Sequence, residues 1–142
     1  MAGAQGWLNE PVREHAQKLG LGESVRFPGY IDPGDVAALY SLATVFAYPS
    51  LWEGFGLPVL EAMACATPVL TSSVSSLPEV AGDAAVLVPP TDVDAIAAGL
   101  GRLLEDRALR ADLSERGRRR AAQFSWDRCA RDTLAVYRAV VG

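Results

Sequence analysis

A chain of 142 residues, 50% hydrophobic and 21% charged, fits one domain and can bury about two-thirds of the surface its unfolded form exposes. That apolar content, with a net charge of only −4, excludes a disordered chain and argues against nucleic acid as a partner. No apolar run approaches the roughly 20 residues of a membrane span, and the opening MAGAQGWLNE lacks a signal-peptide core.

The pattern from Trp7 to Leu19 is helical, with Gly20 as its natural stop. SVRFPGY predicts a short strand over Val25–Phe27 and a turn at Pro28–Gly29. Asp32 then caps a helix with Pro33 in its first turn, running through Val36, Leu39 and Tyr40. The apolar run TVFAY, bounded by Pro49, suits a buried strand. A helix is predicted over Leu57–Cys65 and a strand over Pro68–Thr71. SSLPEVAG reads as a turn plus one helical turn, and AAVLV as a further strand. Val93, Ile96, Ala97, Leu100, Leu103 and Leu104 make one apolar helical stripe. A polar helix spans Ala108–Gln123, and Ser125 caps a last helix that carries apolar residues from Trp126 to Val141 at spacings of three and four.

Short apolar strands alternating with helices imply right-handed crossovers and a parallel sheet covered on both faces. The predicted class is α/β, a Rossmann-like doubly wound parallel sheet, with residues 1–142 as a single domain. RGRRR at 116–120 reads as a solvated helix face, the alternative being contact with an acidic partner or membrane surface. Cys65 and Cys129 lack metal-type spacing and read as buried free thiols in a reducing cytosol. The single histidine, His15, sits among polar residues, so neither a Ser-His-Asp site nor a histidine metal site is expected. Carboxylates and backbone amides must carry any chemistry.

The stretch YPSLWEGFGLPVLEAMA, residues 48–64, holds both. Ligands of such sheets bind at the carboxyl ends of the strands, so Pro49 to Gly56 is a binding loop by position. Gly54 and Gly56 let the backbone approach a ligand and take conformations closed to other residues, and Pro58 suits the first helical position. Free amides near residues 56–60, with the positive end of the helix dipole behind them, make a site for an anion such as phosphate. Glu53 and Glu61 would repel that anion at close range, but carboxylates grip paired hydroxyls, as on ribose or hexose. The plain alternative is that Glu61 only complements the helix dipole and Glu53 is solvated.

The run from Tyr48 to Asp92, together with FPGYI and FSWDRCARDTLAVYR, resembles the retaining glycosyltransferases of group 1, family 4-like, with the GT-B fold. Two glutamates separated by seven residues, with GFG after the first and EAMA at the second, carry the resemblance most strongly. It implies part of the C-terminal donor-binding domain, lacking that domain's first strands. It also implies that Glu53 contacts the transferred sugar and Glu61 grips the ribose. Gly54, Phe55, Gly56 and Leu57 would offer backbone amides to donor sugar and diphosphate, and Gly29, Tyr30 and Ile31 would meet the base. Pro49, Ser50 and Phe55 read mainly as loop geometry and packing.

The implied reaction moves a hexose from a nucleotide diphosphate sugar to an acceptor hydroxyl with retention. The donor is a substrate, so no resident cofactor and no metal are expected, and the acceptor is a sugar or lipid-linked sugar of the full protein. Where the family carries glycine, this chain has Ala66, at a cost of about 1 kcal/mol if φ is positive there. The family's diphosphate-clamping arginine and lysine have no counterpart before Trp7, so the chain alone is expected to be inactive. The missing strands leave a gap beside the 45–48 strand, which predicts self-association. The expected location is cytoplasmic, with a peripheral membrane position open to the parent protein. Two rivals stand: a sugar nucleotide epimerase, which shares the fold and the ribose-gripping glutamate, and a non-catalytic nucleotide-binding or oligomerisation module.

Overall fold

A computed structural model describes residues 9–141. The chain divides into two compact units, one ending at Val36 and the other beginning at Ala37.

The first unit carries helix α1 (Asn9–Lys18), a 3-10 turn at Gly22–Ser24 and an extended stretch beyond it. Gly20, at φ 65°, ends α1 as expected, with the amides of Gly20 and Leu21 donating to the carbonyls of Gln17 and Ala16. Trp7 and Leu8 of the predicted helix lie outside the described residues. The strand expected over Val25–Phe27 is not formed. Val25 is extended (φ −113°, ψ 118°), but residues 25–27 join no ladder, and the isolated bridge falls at Gly29. A strand needs a ladder neighbour as well as a β-prone sequence, and among the described residues no strand of the sheet lies alongside 25–27. Arg13 instead stacks its guanidinium over the Phe27 ring at 4.6 Å.

Helix α2 (Pro33–Leu42) starts at the proline, with the Gly34 amide 3.5 Å from Asp32 Oδ1. The second unit then builds a three-stranded parallel sheet in the order β1 (Phe46–Tyr48), β2 (Val69–Ser72), β3 (Ala85–Val88). Phe46 pairs with Val69, and Val69 with Ala85. Helix α3 (Leu57–Ala64) crosses from β1 to β2 and α4 (Leu77–Ala81) from β2 to β3. Helices α5 (Val93–Glu105), α6 (Arg107–Ala121) and α7 (Trp126–Val141) follow. Asp92, Asp106 and Ser125 cap them, accepting from the amides of Ala95, Leu109 and Arg128.

Every residue of β2 is buried, and alternation sends its side chains into two cores. Val69 packs with Val59, Met63, Leu77 and Val80 under α3 and α4, while Leu70 packs with Val88, Leu103 and Leu113 under α5 and α6. This is the expected α/β class. Gly99 lets α5 lie on the sheet, since a Cβ there would stand 2.7 Å from Leu70 Cδ1.

The arginines at 116–120 lie on α6 as a largely solvated, ion-paired face: Arg116 pairs with Asp112 and Asp83, and Arg119 with Glu115. Arg120 turns inward to the carbonyls of Val80 and Glu79. The expectation of two buried thiols fails, because Cys129 is exposed and Cys65 only half-buried. Cys65 sits at the C-cap of α3, and α7 buries none of its residues against any described element.

Candidate functional site

The loop between β1 and α3 lies at the carboxyl end of the central sheet, where the sequence places it. The sheet's register sets its geometry. Thr71 Oγ1 donates to the Tyr48 carbonyl at 2.9 Å, and Ser72 Oγ donates to the Ser50 carbonyl, so β2 holds the loop where it leaves β1.

At the other end of the loop, Gly56 is the N-cap of α3 with φ 108° and ψ 43°, and no side chain caps the helix. Leu57 is the first helical residue, which moves Pro58 to the second position. The amides expected to face a ligand are consequently fewer at the helix and more numerous in the loop. Pro58 has none, and the Val59 amide donates to the Gly56 carbonyl at 3.0 Å. The amides of Gly54, Phe55, Gly56 and Leu57 donate to no protein acceptor among the described residues. They form a run of free donors at the positive end of α3. Gly54 has open space where a Cβ would stand and no positive φ, so neither packing nor backbone conformation requires glycine there.

Glu53 is half-buried and closely held. Its Oε1 accepts from Tyr48 Oη at 2.6 Å and from Ser50 Oγ at 2.9 Å. Its carbonyl accepts from Ser75 Oγ at 2.7 Å and Ser76 Oγ at 3.0 Å, while its amide donates to Ser75 Oγ at 3.2 Å. Ser76 Oγ also reaches the Phe55 carbonyl at 2.8 Å. Ser75 adopts φ 61°, a left-handed conformation that costs a non-glycine residue about 1–2 kcal/mol. The turn after β2 is thus bent to clamp the loop that carries Glu53.

Glu61 is exposed on α3, and its Oε2 accepts from Tyr40 Oη at 3.1 Å. Burial, then the neighbouring Glu61 carboxylate, raises the Tyr40 hydroxyl well above its ordinary range. Burial, then the bond to Glu53, pushes the Tyr48 hydroxyl up to about 12. Phe46 stands between the two tyrosines, edge-on to Tyr40 at 5.0 Å and stacked on Tyr48 at 5.8 Å.

The structure therefore brings Glu53 and Glu61 to one aromatic ladder, with the loop amides in between along the chain. Of the segment expected to meet a base, Gly29 has φ 77° and Tyr30 is 72% exposed, while Ile31 is half-buried; all belong to the first unit. Phe55, read as packing, does pack, edge-on to Phe124 at 5.9 Å. Ser50, read as loop geometry, also touches the Glu53 carboxylate. Tyr40, Tyr48, Ser75 and Ser76 were not legible as site residues. The only signal available was a polar group on each of several neighbouring loops and strands, which becomes informative once the register is known. No group of histidine, cysteine, aspartate and glutamate side chains that could hold a metal ion occurs among the described residues. None of their helices is long and apolar enough to cross a membrane.

The sequence profile of the family described as "Glycosyl transferases group 1" matches residues 1–120. The chain is 41% identical over 138 residues to an O-antigen chain mannosyltransferase B from Escherichia coli, covering 97% of this chain and 36% of that protein. It is 42% identical over 137 residues to an MMP alpha-(1->4)-mannosyltransferase from Mycolicibacterium hassiacum, covering 94% of this chain and 33% of that protein. Its fold superposes on a sucrose-phosphate synthase from Thermosynechococcus elongatus with a TM-score of 0.86 and 36% identity, over 97% of this chain and 37% of the other. The chain thus spans about a third of the length of the curated relatives it matches.

Proposed function

From a chain that belongs to the group 1 glycosyl transferases, we propose the donor-binding part of an enzyme that moves a hexose from a nucleotide diphosphate sugar to an acceptor hydroxyl with retention. The observation that carries this reading is the run of free amides from Gly54 to Leu57, flanked by two carboxylates that tyrosine hydroxyls hold in place. Amides and helix dipole suit a diphosphate, and the carboxylates suit sugar hydroxyls.

In the proposed reaction the bond from the anomeric carbon to the diphosphate oxygen breaks. A bond from the anomeric carbon to the acceptor oxygen forms, on the same face of the sugar. The acceptor proton passes to the leaving phosphate. The loop amides stabilise the negative charge that grows on the diphosphate, and their preorganisation gives them weight. Glu53 orients the sugar and supports positive charge at the anomeric carbon; Glu61 grips the ribose. Gly29, Tyr30 and Ile31 meet the base. The donor enters as substrate, with no resident cofactor, and metal-independent leaving-group stabilisation belongs to the same proposal.

The acceptor, a sugar or lipid-linked sugar, is proposed to be held by parts of the parent enzyme beyond this chain, so the chain alone should turn over no donor. We place it in the cytoplasm, with the parent peripheral to a membrane. Among the described residues β1 pairs only with β2, leaving its outer edge without a strand, and we propose that copies of the chain associate there.

Amide NMR during addition of UDP, GDP or ADP at millimolar concentration tests the donor site. Saturable shifts of the Gly54, Phe55, Gly56 and Leu57 resonances with at least one nucleotide are expected. Unmoved resonances with all of them would overturn the reading.

A further inference from the structure

We infer that Tyr40 and Tyr48 are positioning residues that each fix one oxygen of a donor-gripping carboxylate and leave its other oxygen for a sugar hydroxyl; this rests on the donor site proposed above.

The two tyrosines are installed in the same way. Thr67 Oγ1, on the approach to β2, donates to the Tyr40 carbonyl at 2.7 Å, and Thr71 Oγ1, within β2, donates to the Tyr48 carbonyl at 2.9 Å. Both threonines are buried. Both rings rest on Phe46. Each hydroxyl then ends on a glutamate: Tyr40 Oη on Glu61 Oε2 and Tyr48 Oη on Glu53 Oε1. Among the described residues neither Glu61 Oε1 nor Glu53 Oε2 accepts a hydrogen bond from the protein.

A phenol donates one proton to an ionised carboxylate and gives a short charge-assisted bond. It removes a lone pair from one oxygen and, more importantly, fixes the carboxylate plane. Without it Glu61, on an exposed helix face, samples several rotamers, and Glu53 keeps only the Ser50 bond on the same oxygen, so ordering either carboxylate on a ligand costs more free energy. Phe46 gives the two carboxylates a common support, because Tyr40 packs edge-on and Tyr48 stacks on the same ring.

The roles separate by ligand. Tyr40 acts through Glu61 and should matter for the nucleoside part of the donor. Tyr48 acts through Glu53 and should matter for the hexose alone. A tyrosine that only packed would show no such division.

The test is titration of the full 142-residue chain, Tyr40→Phe and Tyr48→Phe with UDP, GDP, UDP-glucose and GDP-mannose, followed by amide NMR. Phenylalanine keeps each ring on Phe46, so the variants retain the fold. Tyr40→Phe should weaken the bare diphosphate and the nucleotide sugar alike, by about three- to tenfold. Tyr48→Phe should leave the bare diphosphate within about twofold and reduce the gain conferred by the sugar by about three- to tenfold, since the Ser50 bond to Glu53 remains. Variants that bind every ligand like the parent, or that lose bare diphosphate equally, would overturn the inference while leaving the donor site standing. A parent chain that binds none of the ligands would overturn both.

Discussion

Gly56 and Leu77 approach so closely that a Cβ built on Gly56 would stand 2.7 Å from Leu77 Cδ2, in a backbone conformation of φ 108°. Leu77 is the fully buried first residue of α4, so it has little room to retreat. Gly56→Ala should therefore lower unfolding free energy by about 2–4 kcal/mol, from backbone strain plus overpacking. Gly54→Ala should change it by less than about 0.5 kcal/mol, because nothing lies near its Cβ, yet it should weaken nucleotide binding by crowding the amides. Urea denaturation of the two variants separates these effects.

Ala66 follows the C-cap of α3 with φ 60°. Its amide donates to the Met63 carbonyl and the Thr67 amide to the Ala62 carbonyl, both at 3.0 Å, the paired bonds of a Schellman ending. Glycine relieves about 1–2 kcal/mol of strain there and loses about 0.5–1 kcal/mol to chain entropy. Ala66→Gly should accordingly raise stability by about 0.5–1 kcal/mol, read as a higher urea midpoint with an unchanged slope.

The left-handed residue at Ala66 was legible only through the family resemblance, which puts glycine there; a helix stop such as Gly20 is local chemistry and was legible directly. The same holds for the capping residue Ser125, whereas TVFAY, expected to be a buried strand, is only partly buried as β1 and exposes Ala47, because its outer edge has no neighbouring strand among the described residues. The strand at Val25–Phe27 was misread because a strand requires a neighbour that local sequence cannot guarantee. Glu53 and Glu61 stood out from their spacing around the glycines. Tyr40 did not, because its bond to Glu61 spans 21 residues and depends on where α2 delivers the ring. The Ser75 clamp on Glu53 lies 22 residues away and requires a left-handed serine, which nothing in the sequence announces.

Tyr48 makes stability pH-dependent in alkali. Its hydroxyl titrates at about 12 in the folded chain against 10.0 ordinarily, so from pH 10.0 to about 12 the unfolded chain holds fewer protons. Stability contributed by this group is complete below pH 10.0 and is lost as pH rises towards 12. Phenolate absorbance should show two late-titrating tyrosines, Tyr40 and Tyr48, of which only Tyr48 moves to lower pH in Glu53→Gln. Burial, the larger cause, persists in that variant, so the move should be partial.

The outer edge of β1 should support association at micromolar concentration. Light scattering should report a dimer or larger species, and a lysine at the exposed Ala47 should shift it towards monomer by placing charge on the edge. Only 15.1 kDa particles in the parent chain would contradict the proposed association.

The division of labour between Glu53 and Glu61 is tested most directly by measuring UDP, GDP and nucleotide-sugar affinities for Glu61→Gln and Glu53→Gln side by side. Glutamine keeps size and one acceptor but loses the charge, so Glu61→Gln should weaken the bare nucleotide by about 1–3 kcal/mol, with folding changed by only a few tenths. Glu53→Gln should bind the bare nucleotide like the parent and lose only the increment from the sugar. Equal weakening of the bare nucleotide by both substitutions would contradict the account and make the pair a shared structural feature of the loop.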